Sequence, residues 1–420
     1  MRGLSGRFLP GPARGAATLM AGTVAAQVVA LGALPLIGRV FTPAQFGVYS
    51  LLVSATGLVA PAVSMRLEAA VLLPSDHGEA SALARLALAV SFGMSAVGGV
   101  VIWVLIRMGP LAGLGGLPFA PLWATLTLAL GGVFAVFGGI ALRERMYRPI
   151  ATRSVLQNVA SACLQVAAGL LKLGSIGLVA GATIGKAVGI AALAAISRPY
   201  LASTGAHSVS RVARVYWRYP AVFAPSAVVN SVGLMAPLIF VAARFGVDAG
   251  GQFGMAERIM AAPVSLIAGA ASQVLVAEIT QRRRQGVAGT LRLFLRASAV
   301  LAGLGTALFV MVWLAAEPAV ELVLGPGWTQ CASVLPIMAA TAALRLVGNP
   351  AGALLMVLQK ARETVILDSL RIALVAGAIW MSIAFDLSFL QSTSAIYGAL
   401  ALNYIFYWCA CLLAARATET

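Results

Sequence analysis

Charged residues are scarce in this chain, and acidic residues are scarcer than basic ones. Only 10% of the 420 residues are charged, and 13 Asp and Glu stand against 29 Lys and Arg. Soluble globular domains carry roughly 25% charged residues, so the composition excludes that class. Hydrophobic residues make up 60% of the chain and the mean hydropathy is +0.95. We therefore expect a lipid bilayer to be the solvent of this protein.

Cysteine, histidine and the common catalytic motifs are also nearly or wholly missing. The four cysteines, Cys163, Cys331, Cys409 and Cys411, lie in or beside apolar segments, and there are only two histidines. This pattern predicts neither a disulfide framework nor a metal site. The chain has no Gly-x-x-x-x-Gly-Lys-Ser/Thr, Gly-x-Ser-x-Gly or His-Glu-x-x-His motif. We expect no ATPase or hydrolase centre, no catalytic residues and no cofactor.

Apolar stretches long enough to cross a bilayer recur along the whole chain. A spanning helix needs about 20 predominantly apolar residues, and the first stretch is too long for a signal peptide. The sequence predicts an all-α integral membrane protein with about twelve spans. They lie at residues 15–38, 46–64, 80–106, 117–141, 151–172, 175–197, 219–242, 251–279, 292–315, 329–353, 364–385 and 391–414.

Basic residues are concentrated in alternate connections between these stretches. One side of the membrane keeps only Arg39, Arg107, Lys172 and Arg244, whereas the other side receives most of the remaining Lys and Arg. Basic connections are retained in the cytoplasm. Since the number of spans is even, both termini are predicted to be cytoplasmic. The basic residues are not gathered on one folded face, so the net charge of +16 does not predict nucleic-acid binding.

The longest central polar connection, residues 198–218, divides the chain into halves. It predicts an N-terminal six-helix lobe at 1–197, a cytoplasmic linker and a C-terminal six-helix lobe at 219–420, as in transporters built from repeated halves. Gly177, Gly181, Gly185 and Gly189 recur every four residues in the sixth span. This small-xxx-small stripe favours close packing of another helix.

Ionisable residues inside spans are candidates for a functional site, because a charge in hydrocarbon costs several kcal/mol unless it meets a partner or water. Lys186 lies about 16 Å along the sixth span, near the bilayer midplane. Glu257 and Arg258 are adjacent in the eighth span and point about 100° apart, so we expect one or both to reach another helix. Arg345 lies one turn before Asn349 in the tenth span, and snorkelling to the headgroups is an alternative role for Arg345.

Uncharged polar residues extend the pattern. Thr23 and Gln27 on the first span, and Ser226 and Asn230 on the seventh, lie at helical spacings that place each pair on one face. Interhelical hydrogen bonding explains them equally well. Because the buried basic residues outnumber the one acid, the interior should prefer an anion such as phosphate or pyrophosphate. The predicted substrate-binding residues are Arg258, Lys186, Arg345, Glu257, Asn230, Gln27 and Asn349, with no metal ligand among them.

Four segments resemble the oligosaccharide-lipid flippases of the MOP superfamily, which export polyprenyl-pyrophosphate-linked sugar repeats in bacteria. Residues 35–49 are similar to the family's first loop and contain Pro-x-x-Phe-Gly-x-Tyr, and residues 65–74 resemble Arg-Tyr-Glu-x-Ala-x-x-Leu-Pro with Leu67 in place of Tyr. Residues 254–259 and 324–328 resemble two segments of the family's second half. The arginines that related lipid II flippases carry on the first helix are absent here.

The resemblance implies two six-helix lobes around a central cavity that opens alternately to each side, in a bacterial inner membrane. Arg258 would be among the basic residues that meet the pyrophosphate or acidic sugars of a lipid-linked oligosaccharide. H⁺ or Na⁺ would be the coupling ion. Membrane lipids, a polysaccharide polymerase and a chain-length regulator would be partners, and the product would be O-antigen, capsule or exopolysaccharide.

Two other functions stay open from the sequence. A MATE-type exporter of cationic drugs would be favoured by an intramembrane acid in the N-terminal half, and the sequence offers none. A non-transporting scaffold for glycan-assembly enzymes would use the basic connections as docking surfaces.

Overall fold

The computed structural model describes residues 11–202, 208–285, 289–357 and 360–416, and every regular element in these ranges is helical. This confirms the predicted all-α class. The helices are α1 Gly11–Gly32, α2 Leu34–Val40, α3 Pro43–Val63, α4 Leu67–Ala70, α5 His77–Met108, α6 Ala120–Arg143, α7 Tyr147–Leu170, α8 Gly174–Ala202, α9 Val209–Val215, α10 Ala224–Gln285, α11 Thr290–Leu324, α12 Thr329–Val357, α13 Ala361–Ala384 and α14 Phe389–Arg416. Short 3-10 and π turns occur at Ala112–Gly116 and Tyr219–Phe223.

Ten helical segments of the described chain are long and apolar enough to cross a membrane. The sequence predicts about twelve, and two helices account for the difference. α7 is less apolar than the other long helices, because it carries two arginines and three amide side chains. α10 joins two predicted spans, because the chain continues helical on both sides of Gly246. At Gly246 itself φ is 90° and ψ is 167°, a non-helical conformation that glycine adopts without a Cβ penalty.

The chain forms two compact units that do not follow chain order. The first comprises Met1–Val40, Ala55–Met108 and Leu117–Ser231, and the second comprises Phe41–Ser54, Gly109–Gly116 and Val232–Thr420. This division differs from the predicted lobes at the two short exchanged stretches and at the central connection. Part of the predicted linker, α9, belongs to the first unit, where Val212 is buried in the hydrophobic core. The six-helix lobes and their linker stay a prediction.

Within the first unit, the glycine stripe of α8 packs against α7. A Cβ on Gly181 would lie 2.8 Å from the backbone nitrogen of Gln165, and a Cβ on Gly185 would lie 2.7 Å from that of Ser161. The amide of Gln165 is buried, and its Nε2 donates to the carbonyl of Leu178 at 3.0 Å. The predicted close packing is confirmed, since only glycine leaves room for backbones this near.

Within the second unit, α3 crosses the part of α10 that follows Gly246. A Cβ on Gly47 would lie 2.9 Å from the backbone nitrogen of Gly251, and a Cβ on Gly251 would lie equally close to the nitrogen of Gly47. Beside this crossing, Phe46 and Trp328 are buried and their rings meet edge to face at 5.9 Å between centroids. Two of the segments that carry the family resemblance therefore contact each other.

Candidate functional site

A cavity of about 250 Å³ lies within the second unit among α10, α12 and α14. Its polar lining includes Glu257, Thr341, Arg345, Tyr397 and Tyr404, and methionine and aliphatic side chains form most of the rest. The hydroxyl of Tyr397 donates to the carboxylate of Glu257 at 3.0 Å, and the Thr341 hydroxyl donates to the carbonyl of Tyr397 at 3.0 Å. An acid, a base and two phenols thus face one small space inside apolar helices, which is the usual composition of a binding site.

The guanidinium groups of Arg345 and Arg258 differ in their relation to this cavity. Arg345 lines it, whereas Arg258 is not among the lining residues. Nε of Arg345 and Nη1 of Arg258 are buried, and neither has a hydrogen-bond partner in the described part of the chain. The expectation that one or both of Glu257 and Arg258 reach another helix is confirmed by Glu257, which accepts a hydrogen bond from Tyr397 on α14. Unsatisfied buried N–H groups are available donors for an oxyanion.

Lys186 lies within the first unit against the backbone of α6. Its Nζ is 3.5 Å from the carbonyl of Thr127 and 3.8 Å from the place that a Cβ on Gly131 would occupy. Beside it, the hydroxyls of Thr127 and Thr183 lie 3.2 Å apart. The lysine is therefore held by a carbonyl and small polar groups. It forms no ion pair with a carboxylate among the described residues.

Arg153, which the sequence pattern did not single out, is held against α6 in the same way. Its Nη1 donates to the carbonyl of Phe134 at 2.9 Å, and its guanidinium carbon lies 3.8 Å from the centre of the Phe134 ring. A Cβ on Gly138 would lie 2.7 Å from Nη1, so glycine makes the space. Its Nε is buried without a hydrogen-bond partner in the described chain. One indication of this position was present in the sequence, because residue 153 is a charged residue inside the predicted span 151–172.

Lys186 and Arg153 occupy equivalent positions along α6. Their carbonyl acceptors, at residues 127 and 134, are seven residues apart, as are the glycines nearest to them, at residues 131 and 138. Seven residues are two helical turns, so both contacts lie on one face of α6 about 10 Å apart along its axis. The first unit therefore carries two basic groups on one side of a membrane helix.

The other predicted residues do not join these two clusters. Gln27 on α1 and Asn230 on α10 are half-buried in the first unit, and Asn349 is exposed on α12 in the second. Gln27, Lys186 and Asn230 thus belong to one unit, and the remaining four belong to the other. That all seven contribute to one substrate site stays a prediction.

Comparison with known proteins places the chain in a family. A family model described as "Polysaccharide biosynthesis protein" matches residues 36–333. The succinoglycan biosynthesis transport protein ExoT of Rhizobium meliloti (strain 1021) is 24% identical over 316 residues, which cover 73% of this chain. The matched region spans 61% of the length of ExoT, less than two thirds of that relative.

Solved structures share the fold at low sequence identity. The lipid II flippase MurJ in an inward closed conformation has a TM-score of 0.70 and 13% identity, with 93% of this chain and 87% of MurJ covered. An inward-facing multidrug resistance MATE transporter of the MOP superfamily has a TM-score of 0.60 and 16% identity, with 96% of each chain covered. These likenesses confirm the predicted MOP-type fold. The chain is a multi-pass membrane protein, and by its match over residues 36–333 it belongs to the polysaccharide biosynthesis protein family.

Proposed function

We propose that this protein is a flippase that moves a polyprenyl-pyrophosphate-linked oligosaccharide across the bacterial inner membrane by alternating access. One observation carries the proposal: Lys186 and Arg258 lie in helices long and apolar enough to cross a membrane, and neither forms an ion pair with a carboxylate among the described residues. Cations inside membrane helices are costly unless a carboxylate, another anion or water meets them. A pyrophosphate supplies that anion during transport.

The chemistry of the donors suits this substrate. Guanidinium groups bind phosphate oxygens through paired hydrogen bonds, and an ammonium group serves as a point charge. In the cavity of the second unit, Tyr404 offers a phenol that can hydrogen-bond to sugars, and the hydroxyls of Tyr397 and Thr341, which already donate within the protein, can still accept. Glu257 is the acid in this cavity and is our candidate for responding to a coupling ion, H⁺ or Na⁺.

Orientation and partners follow from the same proposal. The concentration of Lys and Arg in alternate connections supports cytoplasmic termini. The family, and the role in succinoglycan biosynthesis that ExoT's name states for that protein, support a lipid-linked oligosaccharide as the transported partner. A polysaccharide polymerase and a chain-length regulator are the proteins with which such a flippase would work. O-antigen, capsule or exopolysaccharide would be the product.

The test is flipping by the purified full chain in proteoliposomes. The substrate is a fluorescent polyprenyl-pyrophosphate oligosaccharide, and the readout is its accessibility to a membrane-impermeant quencher under imposed H⁺ or Na⁺ gradients. Lys186→Gln and Arg258→Gln should each slow the initial rate about 10- to 100-fold, since a hydrogen bond to a charged group contributes about 1.5–3 kcal/mol. Lys186→Arg should retain most of the rate.

Lys172→Gln is the matched control, because Lys172 is an exposed lysine in the short connection before α8. It should flip at the wild-type rate. Equal rates for Lys172→Gln and Lys186→Gln would refute the role of the buried cations. A wild-type protein that is folded but moves no substrate, while variants still support glycan assembly in cells, would favour the scaffold role.

A second candidate function is export of organic cations, and Glu257 is the observation that favours it. This carboxylate lines the cavity of the second unit, and the fold is shared with MATE transporters. The same proteoliposomes loaded with a cationic dye distinguish the two. Dye efflux that Glu257→Gln abolishes, without movement of the lipid-linked sugar, would replace the flippase proposal.

A further inference from the structure

A second, larger pocket opens in the first unit where three membrane helices end. Its volume is about 610 Å³, and it is lined by residues of the segment before α5, the end of α6 and the start of α7. Its polar lining comprises Ser75, Arg143, Glu144, Arg145 and Tyr147. We propose that this pocket binds the phosphate headgroup of an anionic phospholipid. The site is separate from the membrane-embedded cations and does not depend on the proposed flippase function.

Two arginines give the pocket a fixed and a freely accessible cation. Nη1 of Arg143 donates to the carbonyl of Val71 at 3.2 Å and to that of Pro74, so this guanidinium is held at the pocket wall. Arg145 is exposed, and its guanidinium makes no hydrogen bond or ion pair to any described residue. Its φ of 53° places it in a turn between α6 and α7. The amide of Met146 closes this turn by donating to the carbonyl of Ala141 at 2.9 Å.

The acids near the pocket are already engaged. The carboxylate of Glu144, which also lines the pocket, accepts a hydrogen bond from the phenol of Tyr200. Asp76, next to Ser75, accepts from the backbone amide of Glu79 at 2.8 Å and so caps the first turn of α5. The charged lining consists of two arginines and one carboxylate, so its net charge is positive.

The position of the pocket separates a lipid from a soluble anion. α6 ends at Arg143 and α7 begins at Tyr147, so the pocket lies at the level where membrane helices leave the hydrocarbon. Apolar side chains at or beside it are exposed: Leu72 by 39%, Leu73 by 60%, Leu142 by 40% and Met146 by 40%. A basic pocket with an exposed apolar rim at the ends of membrane helices matches a phosphate that carries acyl chains.

The experiment is native mass spectrometry of the full-length protein in detergent, titrated with phosphatidylglycerol and, as a neutral reference, phosphatidylcholine. Wild type should retain phosphatidylglycerol in preference to phosphatidylcholine. Arg145→Glu should weaken phosphatidylglycerol binding about fivefold or more, because it reverses one charge at the headgroup. Arg145→Lys should keep most of the binding. Thermal unfolding checks that each variant is folded.

Arg148→Glu is the matched control, because Arg148 is an exposed arginine in the first turn of α7 that does not line the pocket. It should weaken phosphatidylglycerol binding clearly less than Arg145→Glu does, because its side chain does not line the pocket. Equal weakening by both substitutions, or no preference for phosphatidylglycerol in wild type, would overturn the proposal. Displacement of the lipid by millimolar inorganic phosphate would overturn it in favour of a general anion site. Displacement by polyprenyl phosphate alone, dependent on Arg145, would assign the pocket to the transported lipid instead.

Discussion

At the scale of one residue, the side chain of Gln252 on α10 bonds to the connection between α11 and α12 and to the start of α12 within the second unit. The side chain is only 3% exposed, its Nε2 donates to the carbonyl of Gly327 at 2.6 Å, and its Oε1 accepts from the amide of Cys331 at 3.0 Å. Gln252→Leu would leave the buried amide of Cys331 unsatisfied, at about 1–3 kcal/mol, and would remove the hydrogen bond to the carbonyl of the exposed Gly327, at about 1 kcal/mol. We expect the free energy of unfolding to fall by about 2–4 kcal/mol. Thermal or denaturant unfolding in detergent, followed by circular dichroism, measures it.

Gln391 provides the matched control for that substitution. Its Oε1 likewise accepts a backbone amide, that of Ser388 at 3.0 Å, but the contact is exposed at the start of α14. Gln391→Leu should cost less than about 1 kcal/mol, as expected for a helix cap that water can replace. An equal loss in the two variants would show that burial is not the source of the Gln252 contribution.

At the scale of helices, the packing of α8 on α7 depends on the absence of side chains. A Cβ at position 185 would meet the backbone of Ser161, which cannot rotate away. Gly185→Ala should therefore separate the two helices and lower the free energy of unfolding by about 1–3 kcal/mol. Gly93 on α5 has nothing within 4 Å of its Cβ position, so Gly93→Ala should be neutral or stabilising by up to about 1 kcal/mol. Unfolding midpoints in one detergent compare them, and a reversed order would contradict this account.

At the scale of the whole molecule, the distribution of charge predicts the orientation in the membrane. Ser208 lies in the basic central connection before α9, and Ser388 lies between α13 and α14 on the side that is poor in Lys and Arg. In a cysteine-free background, Ser388→Cys should react with a membrane-impermeant maleimide in intact spheroplasts. Ser208→Cys should react only after permeabilisation.

These two serines are exposed and differ from cysteine by a single atom, so each substitution serves as the control for the other. Labelling of both residues after permeabilisation establishes that each is reactive. The reverse pattern in intact spheroplasts would place both termini outside the cytoplasm and would refute the charge argument.

Part of the candidate site was accessible to sequence reasoning, and part was not. A charge inside a long apolar stretch is visible in the sequence, and Lys186, Glu257 and Arg345 lie in helices long and apolar enough to cross a membrane. The residue that each of these side chains contacts on another helix could not be predicted from the sequence. Helical periodicity gives the face on which a residue lies, but the identity of the facing residue depends on how helices far apart in the chain pack. For that reason Tyr397 as the partner of Glu257, and Arg153 as a buried cation, came only from the structure.

The sequence by itself determined the class of this protein, its approximate spans and its family. A bilayer requires about 20 apolar residues per helix and satisfies no backbone hydrogen bonds, so composition and spacing alone specify membrane helices. The tertiary structure decided the rest: the merging of two spans across Gly246, the compact units that exchange short stretches of chain, and the glycine at 138 that leaves room for Arg153 against α6. These features depend on which segments, far apart in the chain, pack against one another, and the helical periodicity of a single segment does not specify its partner.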